Sequence, residues 1–461
     1  MFRRQGPSVR LIAAITGIAL GGTLALSGCG SSSTTAGDGG SATAGNVVWW
    51  SWTPDNDLAA REIAAFNQQY PNIKVTYKKV PNADYSGVLR PALASSVGPD
   101  VFTVAAAGAT GPVSVFAPYA QDLAPAISKL LGSDWKSKIY PTAVTDFTVN
   151  GKLAGSPWAK QGAGNVWINK DLFDKYGLSV PTTLAEWVKV CATFRSKGLG
   201  CFKEGIGGSG FDVDTLHSIA DSVQPGLWAA AASGQKKWTD PGLVTAWTIF
   251  KKMSDEGILD AGGVGVQQYP DVNNAFLTGK VPMIQMGFWY SQYATDNSLT
   301  AALAGAGVPA STPKITIVPA SFPDVAGKGN PSTIFADPDA AHAVNSKSKV
   351  LNAATTFALW LGGTKQGQQV VTDNVDEIAS LNGVQANWAS IKVVNPTVQI
   401  PALKNLASKV SAATEIRDAN LPAVKFQAII DADQGVLGGQ ESPAAAAAAV
   451  QQVFDANPTV K

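Results

Sequence analysis

Two side chains that carry most enzyme chemistry, histidine and cysteine, are scarce in this 461-residue chain, whereas tryptophan is plentiful at 13 copies. Acid–base and metal chemistry lean on histidine, and the two present, His217 and His342, are isolated in sequence. No His/Cys cluster has zinc-ligand spacing, and Asp212-Val213-Asp214 is too little for a calcium loop. Gly262-Gly263-Val264-Gly265 lacks the Lys-Ser/Thr of a phosphate loop. The glycine-rich run 205–210 offers Ser209, but Phe211 stands where a nucleophile elbow needs its last glycine. Acidic residues number 34, enough for paired-carboxylate glycoside hydrolysis, yet no motif pairs them. No cofactor is implied. The abundant types fit binding instead. Aromatic platforms suit the C–H faces of a polyhydroxylated ring, and side-chain oxygens and amides suit its hydroxyl rim.

Charge narrows the partner. Charged residues make up only 15% of the chain and the formal net charge is +1. Neither nucleic acid nor a charged polymer is indicated. An anionic solute needs arginine forks, and beyond residue 10 there are only Arg61, Arg90, Arg195 and Arg417. Of these Arg417, within Glu415-Ile416-Arg417-Asp418, is the one that can reach a cleft. The balance favours a neutral solute; a polyamine would need a carboxylate cluster with aromatics.

The N-terminus reads as an export signal. Arg3, Arg4 and Arg10 precede an uncharged, mainly apolar run over residues 11–26, short for a membrane span but right for a signal that is removed. Leu26-Ser27-Gly28-Cys29 resembles the bacterial lipobox, which implies that Cys29 becomes a lipid-modified first residue. Residues 1–28 are then the signal peptide, and residues 29–45, rich in Gly, Ser, Thr and Ala, a flexible tether. Removing the leader leaves 32 basic against 34 acidic residues, about −2. Lipidation of Cys29 leaves Cys191 and Cys201, which are expected to form a disulfide in an oxidising compartment, two separate buried thiols being the alternative.

The elements that must position these residues follow from periodicity. Val47-Val48-Trp49-Trp50 reads as a buried strand. Asp55 or Asp57 can cap the next helix, whose apolar face is Ala59, Ile63, Phe66 and Tyr70. Residues 73–77 alternate as a strand, 85–96 read as a helix, and 100–104 as a strand after Gly98-Pro99. A β-α-β-α-β order predicts an α/β domain with a parallel sheet. Ligands of such sheets sit beyond the carboxyl ends of strands, which directs attention to 51–55 and 105–110. Thr183 and Glu186 form a capping box before a helix that includes Cys191. Residues 314–318 read as a strand and 351–361 as a helix, and Ser442-Pro443 opens a C-terminal alanine-rich helix.

Several stretches in order resemble the extracellular solute-binding proteins of ABC importers, the sugar-binding family that includes maltose-binding protein. They are the Trp-rich first strand with Tyr70-Pro71-Asn72-Ile73-Lys74-Val75; Gly98-Pro99-Asp100-Val101-Phe102; and Asn150-Gly151-Lys152-Leu153-Ala154-Gly155-Ser156-Pro157-Trp158, running on to Asn169-Lys170-Asp171. Pro181-Thr182-Thr183, then Gly279-Lys280-Val281-Pro282-Met283 with Gly287-Phe288-Trp289, and Ser442-Pro443 complete the set, which covers residues 46–461. Ile168 departs from a tyrosine common in the family. The resemblance implies an α/β, two-lobed, periplasmic-binding-protein-like fold, each lobe a mainly parallel sheet flanked by helices. The lobes are expected at 46–155 with 314–383 and at 156–313 with 384–461, with crossings near 150–156, 310–314 and 378–386. It also implies a non-enzymatic, monomeric lipoprotein on the outer face of the bacterial membrane, delivering a small sugar to ABC permease subunits. A secreted glycan-acting hydrolase, a surface adhesion protein, and a binder of a polyol or polyamine are the alternatives.

Against that implied cleft, Ser51, Trp52 and Asp55 follow the first strand, and Trp158 and Gln161 follow the first crossing. Trp289, by resemblance, holds the place of a stacking aromatic, with Tyr290 beside it. Trp228 and Trp388 lie near expected lobe edges. Asp146 and Asp212 are candidate hydroxyl acceptors and Lys160 a candidate donor. Trp49, Trp50, Trp187 and Trp247 read as core.

Overall fold

The computed structural model describes residues 39–458 except 109, 209, 331, 332 and 420. The expected leader 1–28, the lipidation site Cys29, the start of the tether and Ser209 lie outside the described residues. No helix among the described residues is long and apolar enough to cross a membrane. The end of the expected tether is docked rather than free. The Asn352 N–H and its side-chain amide donate to the Gly39 and Gly40 carbonyls at 3.0 and 2.7 Å, and the Thr356 hydroxyl donates to Ala42 at 2.8 Å.

The chain forms two lobes. In the first, strands Ile73–Lys79, Gly45–Ser51, Val101–Ala105, Ala340–Val344 and Ser156–Pro157 lie side by side in that order. The first three are parallel, as the β-α-β-α-β pattern predicts, and the last two run antiparallel to their neighbours. Alternation places Val47 and Trp49 inward against the helices Asn56–Gln69 and Leu351–Gly363, where Trp49 packs edge-on to Phe357. The core of this lobe draws on residues 47–159 and 340–384.

The second lobe is built on the strands Ile317–Ser321, Asn165–Asn169, Met283–Gln285 and Phe202–Lys203. Its sheet is mixed, with one parallel and two antiparallel pairings, not mainly parallel as expected. The cause is entry from the other lobe. Asn165–Asn169 runs away from the crossing that delivers it, whereas Ile317–Ser321 runs back toward the next one, so the two are antiparallel. The cores here draw on residues from 166 to 336 and from 375 to 454.

The crossings fall later than the sequence suggested at two places. Ser156–Pro157 still pairs in the first-lobe sheet, and Ile317–Ser321, expected to have returned to the first lobe, still pairs in the second. The crossings themselves are the strands Ala159–Ala163, Phe335–Pro338 and Ile378–Ala379, joined into one antiparallel sheet with Ala159–Ala163 in the middle.

Asn150 and Gly151, both at positive φ, turn the hairpin Thr148–Val149 to Lys152–Leu153. Expected local signals hold at several points. The Thr183 hydroxyl accepts the Glu186 N–H, while the Glu186 carboxylate bonds Thr182 rather than Thr183. Ser442 caps the helix Pro443–Ala456. Cys191 and Cys201 are disulfide-bonded, Cα to Cα 5.0 Å, tying the helix Leu184–Ser196 to the strand Phe202–Lys203. Replacing both cysteines with serine is expected to lower unfolding stability by about 2–3 kcal/mol, from the entropy released to a ten-residue loop; a urea titration that leaves the midpoint unmoved would contradict this.

Candidate functional site

Between the lobes lies a cavity of about 580 Å³. The loops that leave the first-lobe strands supply one wall, with Trp52, Asp55, Lys79, Asn82, residues 105–108 and Thr110. Phe211, Tyr269, Trp289, Tyr293, Arg417 and Phe426 form the opposite wall. The three crossings make the floor, with Gln161, Asp337, Pro338, Asp339, Asp376 and Glu377.

Of the residues singled out in the sequence, Trp52, Asp55, Gln161 and Trp289 meet at this cavity. Trp52 stands edge-on to Tyr85, ring centres 4.9 Å apart, which fixes its face. Asp55 sits at the N-terminus of the helix Asn56–Gln69 but makes no side-chain cap; its carboxylate accepts from the Tyr293 hydroxyl across the cleft at 2.6 Å and pairs with Lys79. Gln161 is a positioning residue. Its amide donates to the Asp376 carbonyl at 2.8 Å, and its side-chain oxygen accepts the Trp289 N–H at 3.1 Å.

Five candidates do not reach the cavity. Ser51 is buried, its hydroxyl donating to the Thr53 carbonyl. Trp158 is fully buried in the first-lobe core beside His342, because the crossing starts only after it. Trp228 is buried behind the second wall, stacked on His217, and donates to the Arg417 carbonyl at 3.3 Å. Tyr290 faces inward onto Asn273, 3.0 Å from hydroxyl to amide oxygen, and its neighbour Tyr293 faces the cleft instead. Trp388 packs against the second lobe away from the cavity. Asp146 and Asp212 also lie elsewhere, and the Lys160 ammonium is engaged by the Ser411 and Ala413 carbonyls at 3.2 Å.

The sequence reading missed Tyr269, Phe211, Tyr293, Gln292 and the floor carboxyls. The doublets Asp337-Pro338-Asp339 and Asp376-Glu377 were the available signal, but nothing local shows that they converge. Asp337 accepts three backbone N–H groups, from Arg417, Asp418 and Ala419 at 3.0, 2.6 and 2.6 Å. Arg417 forks onto Asp214, both contacts 2.7 Å, and lies 5.1 Å over the Trp289 ring. Burial opposes its charge, but Asp214 and Asp418 hold it above the ordinary arginine range. Burial pushes Asp339 up to about 6 and Asp418 up to about 7, both against the pull of Arg417. Burial likewise raises Asp376, with Asp55 adding, and Glu377, with Asp339 adding.

Residues 50–368 match the family described as bacterial extracellular solute-binding protein. This chain belongs to that family. The solute-binding protein is therefore extracytoplasmic. No curated protein matches it significantly. Solved structures share its fold. One, from work on xylan utilization by Caldanaerobius polysaccharolyticus, is 22% identical over 88% of this chain and 99% of its own, with a TM-score of 0.69. A chitin oligosaccharide binding protein is 21% identical over 90% and 98%, TM-score 0.66. The GacH receptor of Streptomyces glaucescens, described with acarbose, is 21% identical over 90% and 98%, TM-score 0.64.

Two outcomes follow for this solute-binding protein. Trp289→Ala should leave unfolding stability nearly intact and abolish most ligand affinity, whereas Trp158→Ala should cost about 3–5 kcal/mol of stability; the reverse pattern in paired titrations of unfolding and binding would refute the placement. A second concerns pH. Asp212 and Asp418 have folded pKa values raised to about 7, so the folded chain holds protons there that the unfolded chain has lost. Stability should be greatest below that range and fall as pH rises through it. His342, depressed to about 3 by burial, works in the opposite sense only below its ordinary value. The thermal midpoint without ligand is thus expected to drop from pH 6 to pH 8; a rise would show that these carboxyls are not buried.

Proposed function

We propose that this chain captures a small carbohydrate between its lobes and presents it, chemically unchanged, to an ABC permease. In this reading Cys29 anchors the mature protein by lipid to the outer face of the cell membrane, with residues near 30–38 as the tether, and the protein acts as a monomer. The observation that carries it is the cavity's composition: aromatic Trp52 on one wall and Tyr269 and Trp289 on the other, with the polar side chains of Asn82, Thr110 and Gln292 in the same lining. Rings with apolar faces and a hydroxyl edge are recognised by that pairing of surfaces. Structural relatives described as binding chitin oligosaccharide, maltose or acarbose support it.

The mechanism is hinge closure without bond making. The paired crossings let the lobes swing about a common axis while the cavity floor stays intact. Solute contacts both walls only in the closed form and so shifts the population toward it. The Tyr293–Asp55 hydrogen bond joins the two walls directly and adds to that form's stability.

The test uses the chain from residue 30 onward with a panel of mono- and oligosaccharides, polyols and phosphates. A carbohydrate at a hundredfold excess over its dissociation constant should stabilise the fold by about 2.7 kcal/mol and be recovered intact. Consumption of the sugar would establish a hydrolase instead, and a response to phosphates alone would end the carbohydrate reading.

A further inference from the structure

One grouping with ligand chemistry lies outside the cleft. His217 and Asp221 sit one turn apart on the helix Phe211–Val223, and Glu415 reaches them from the segment that leads to Arg417. Among the described residues, these are the one set of three His, Cys, Asp or Glu side chains whose ligand atoms all lie within 4.8 Å of one another. His217 Nε2 is 3.1 Å from Glu415 Oε1 and 3.7 Å from Asp221 Oδ2. The side chains of His217 and Asp221 are 1% and 2% exposed, and that of Glu415 is 17% exposed. The imidazole is clamped between Phe335 and Trp228, with ring centres 3.7 and 4.8 Å away and interplanar angles of 6° and 13°. That sandwich sets the direction of the ring, since Nδ1 has no hydrogen-bond partner among the described residues. The Thr333 hydroxyl lies 3.3 Å from one oxygen of each carboxylate.

We propose that His217, Asp221 and Glu415 bind one divalent transition-metal ion of the zinc type, which braces the second wall of the cleft. Two donors at 2.0–2.1 Å from a tetrahedral zinc lie about 3.3 Å apart, between the 3.1 and 3.7 Å found at His217. One imidazole nitrogen among two carboxylates favours zinc over calcium or magnesium, which take oxygen ligands. Two carboxylates face one imidazole, and a divalent ion balances both negative charges. Asp221 Oδ1, on the same carboxyl group as the oxygen that faces His217, is buried with no hydrogen-bond partner. Coordination through both oxygens satisfies it. The grouping also has an entry path: Thr333 and Glu415 line a second cavity of about 570 Å³ that shares no lining residue with the cleft. Phe211, at the start of the helix, lines the cleft, and so does Arg417, two residues after Glu415. The Ala336 N–H, on one of the crossings, donates to the Glu415 carbonyl at 2.8 Å. An ion held here pins the helix, the Arg417 segment and that crossing to one another, whatever solute the cleft takes.

Isothermal titration calorimetry decides the matter, with zinc chloride added to the untagged chain from residue 30 onward after a chelator has been used and removed. One ion per chain should bind, with a dissociation constant of roughly a micromolar or tighter. Cobalt(II) in its place should give the intense visible absorption of a tetrahedral site with a nitrogen ligand, and zinc should bleach it. Asp221→Asn and Glu415→Gln should each weaken zinc binding at least roughly tenfold. Glu415→Gln, at the more exposed position, is decisive should Asp221→Asn fail to fold, and its unfolding midpoint without zinc checks that the fold is kept. Absence of stoichiometric zinc binding overturns the proposal. Unchanged affinity in a folded Glu415→Gln places the ion elsewhere and overturns it too, as does calcium binding as tightly as zinc. None of these results touches the carbohydrate reading, which the sugar titration tests separately.

Discussion

Everything at the cleft depends on how three separate chain crossings satisfy their own backbone. A single extended strand passing between two lobes would leave its N–H and C=O groups unpaired on both edges. Here Ala159–Ala163 is flanked by Phe335–Pro338 on one side and Ile378–Ala379 on the other, so each crossing supplies the others with partners. The packing is tight enough to constrain side chains as well: a Cβ on Gly162 would lie 2.8 Å from the Val410 side chain. The cavity floor hangs on this sheet. Gln161 belongs to one crossing, Asp337 to another with Asp339 just after it, and Asp376 and Glu377 immediately precede the third.

That floor sets two physical demands against each other. Aromatic walls need water excluded to act as platforms, yet exclusion raises the cost of every carboxylate beneath them. Asp337 meets the demand with three backbone donors, and Asp55 with Tyr293 and Lys79. Asp376 meets it by half, through Gln292. The compensation is thus uneven, nearly complete at Asp337 and Asp55 and least complete at Asp376 and Glu377. Local rules are commonly broken in this way where a protein binds something.

What could be read in the sequence was whatever short-range chemistry decides. The Thr183 and Ser442 caps depend on neighbours within a few residues, the Cys191–Cys201 pair on cysteine arithmetic, and the parallel start of the first sheet on the local alternation of strand and helix patterns. The family followed from ordered motifs. The cleft was harder, because its residues are chosen by which way a strand faces. Around the first crossing a shift of a few residues in where the lobe ends decides whether Trp158 enters the core or the cleft, since successive side chains point to opposite faces. The turn Phe288–Ala294 raises the same difficulty: it sends Trp289 and Tyr293 to the cavity and Tyr290 to Asn273. The floor carboxyls come from two segments nearly forty residues apart, 337–339 and 376–377, and no periodicity links them.

The strand order of the first lobe also dictates a schedule. Ala340–Val344 lies between Val101–Ala105 and Ser156–Pro157, so that sheet has a gap in its middle until nearly three-quarters of the chain exists. A polypeptide emerging from its N-terminus cannot complete either lobe first. Its early strands must wait, with apolar edges open, while the whole of the second sheet is laid down between them. Pairings of such long sequence separation make folding slow and leave intermediates exposed to aggregation. The topology that brings three crossings together at one axis therefore ties the maturation of this protein to the arrival of its last third.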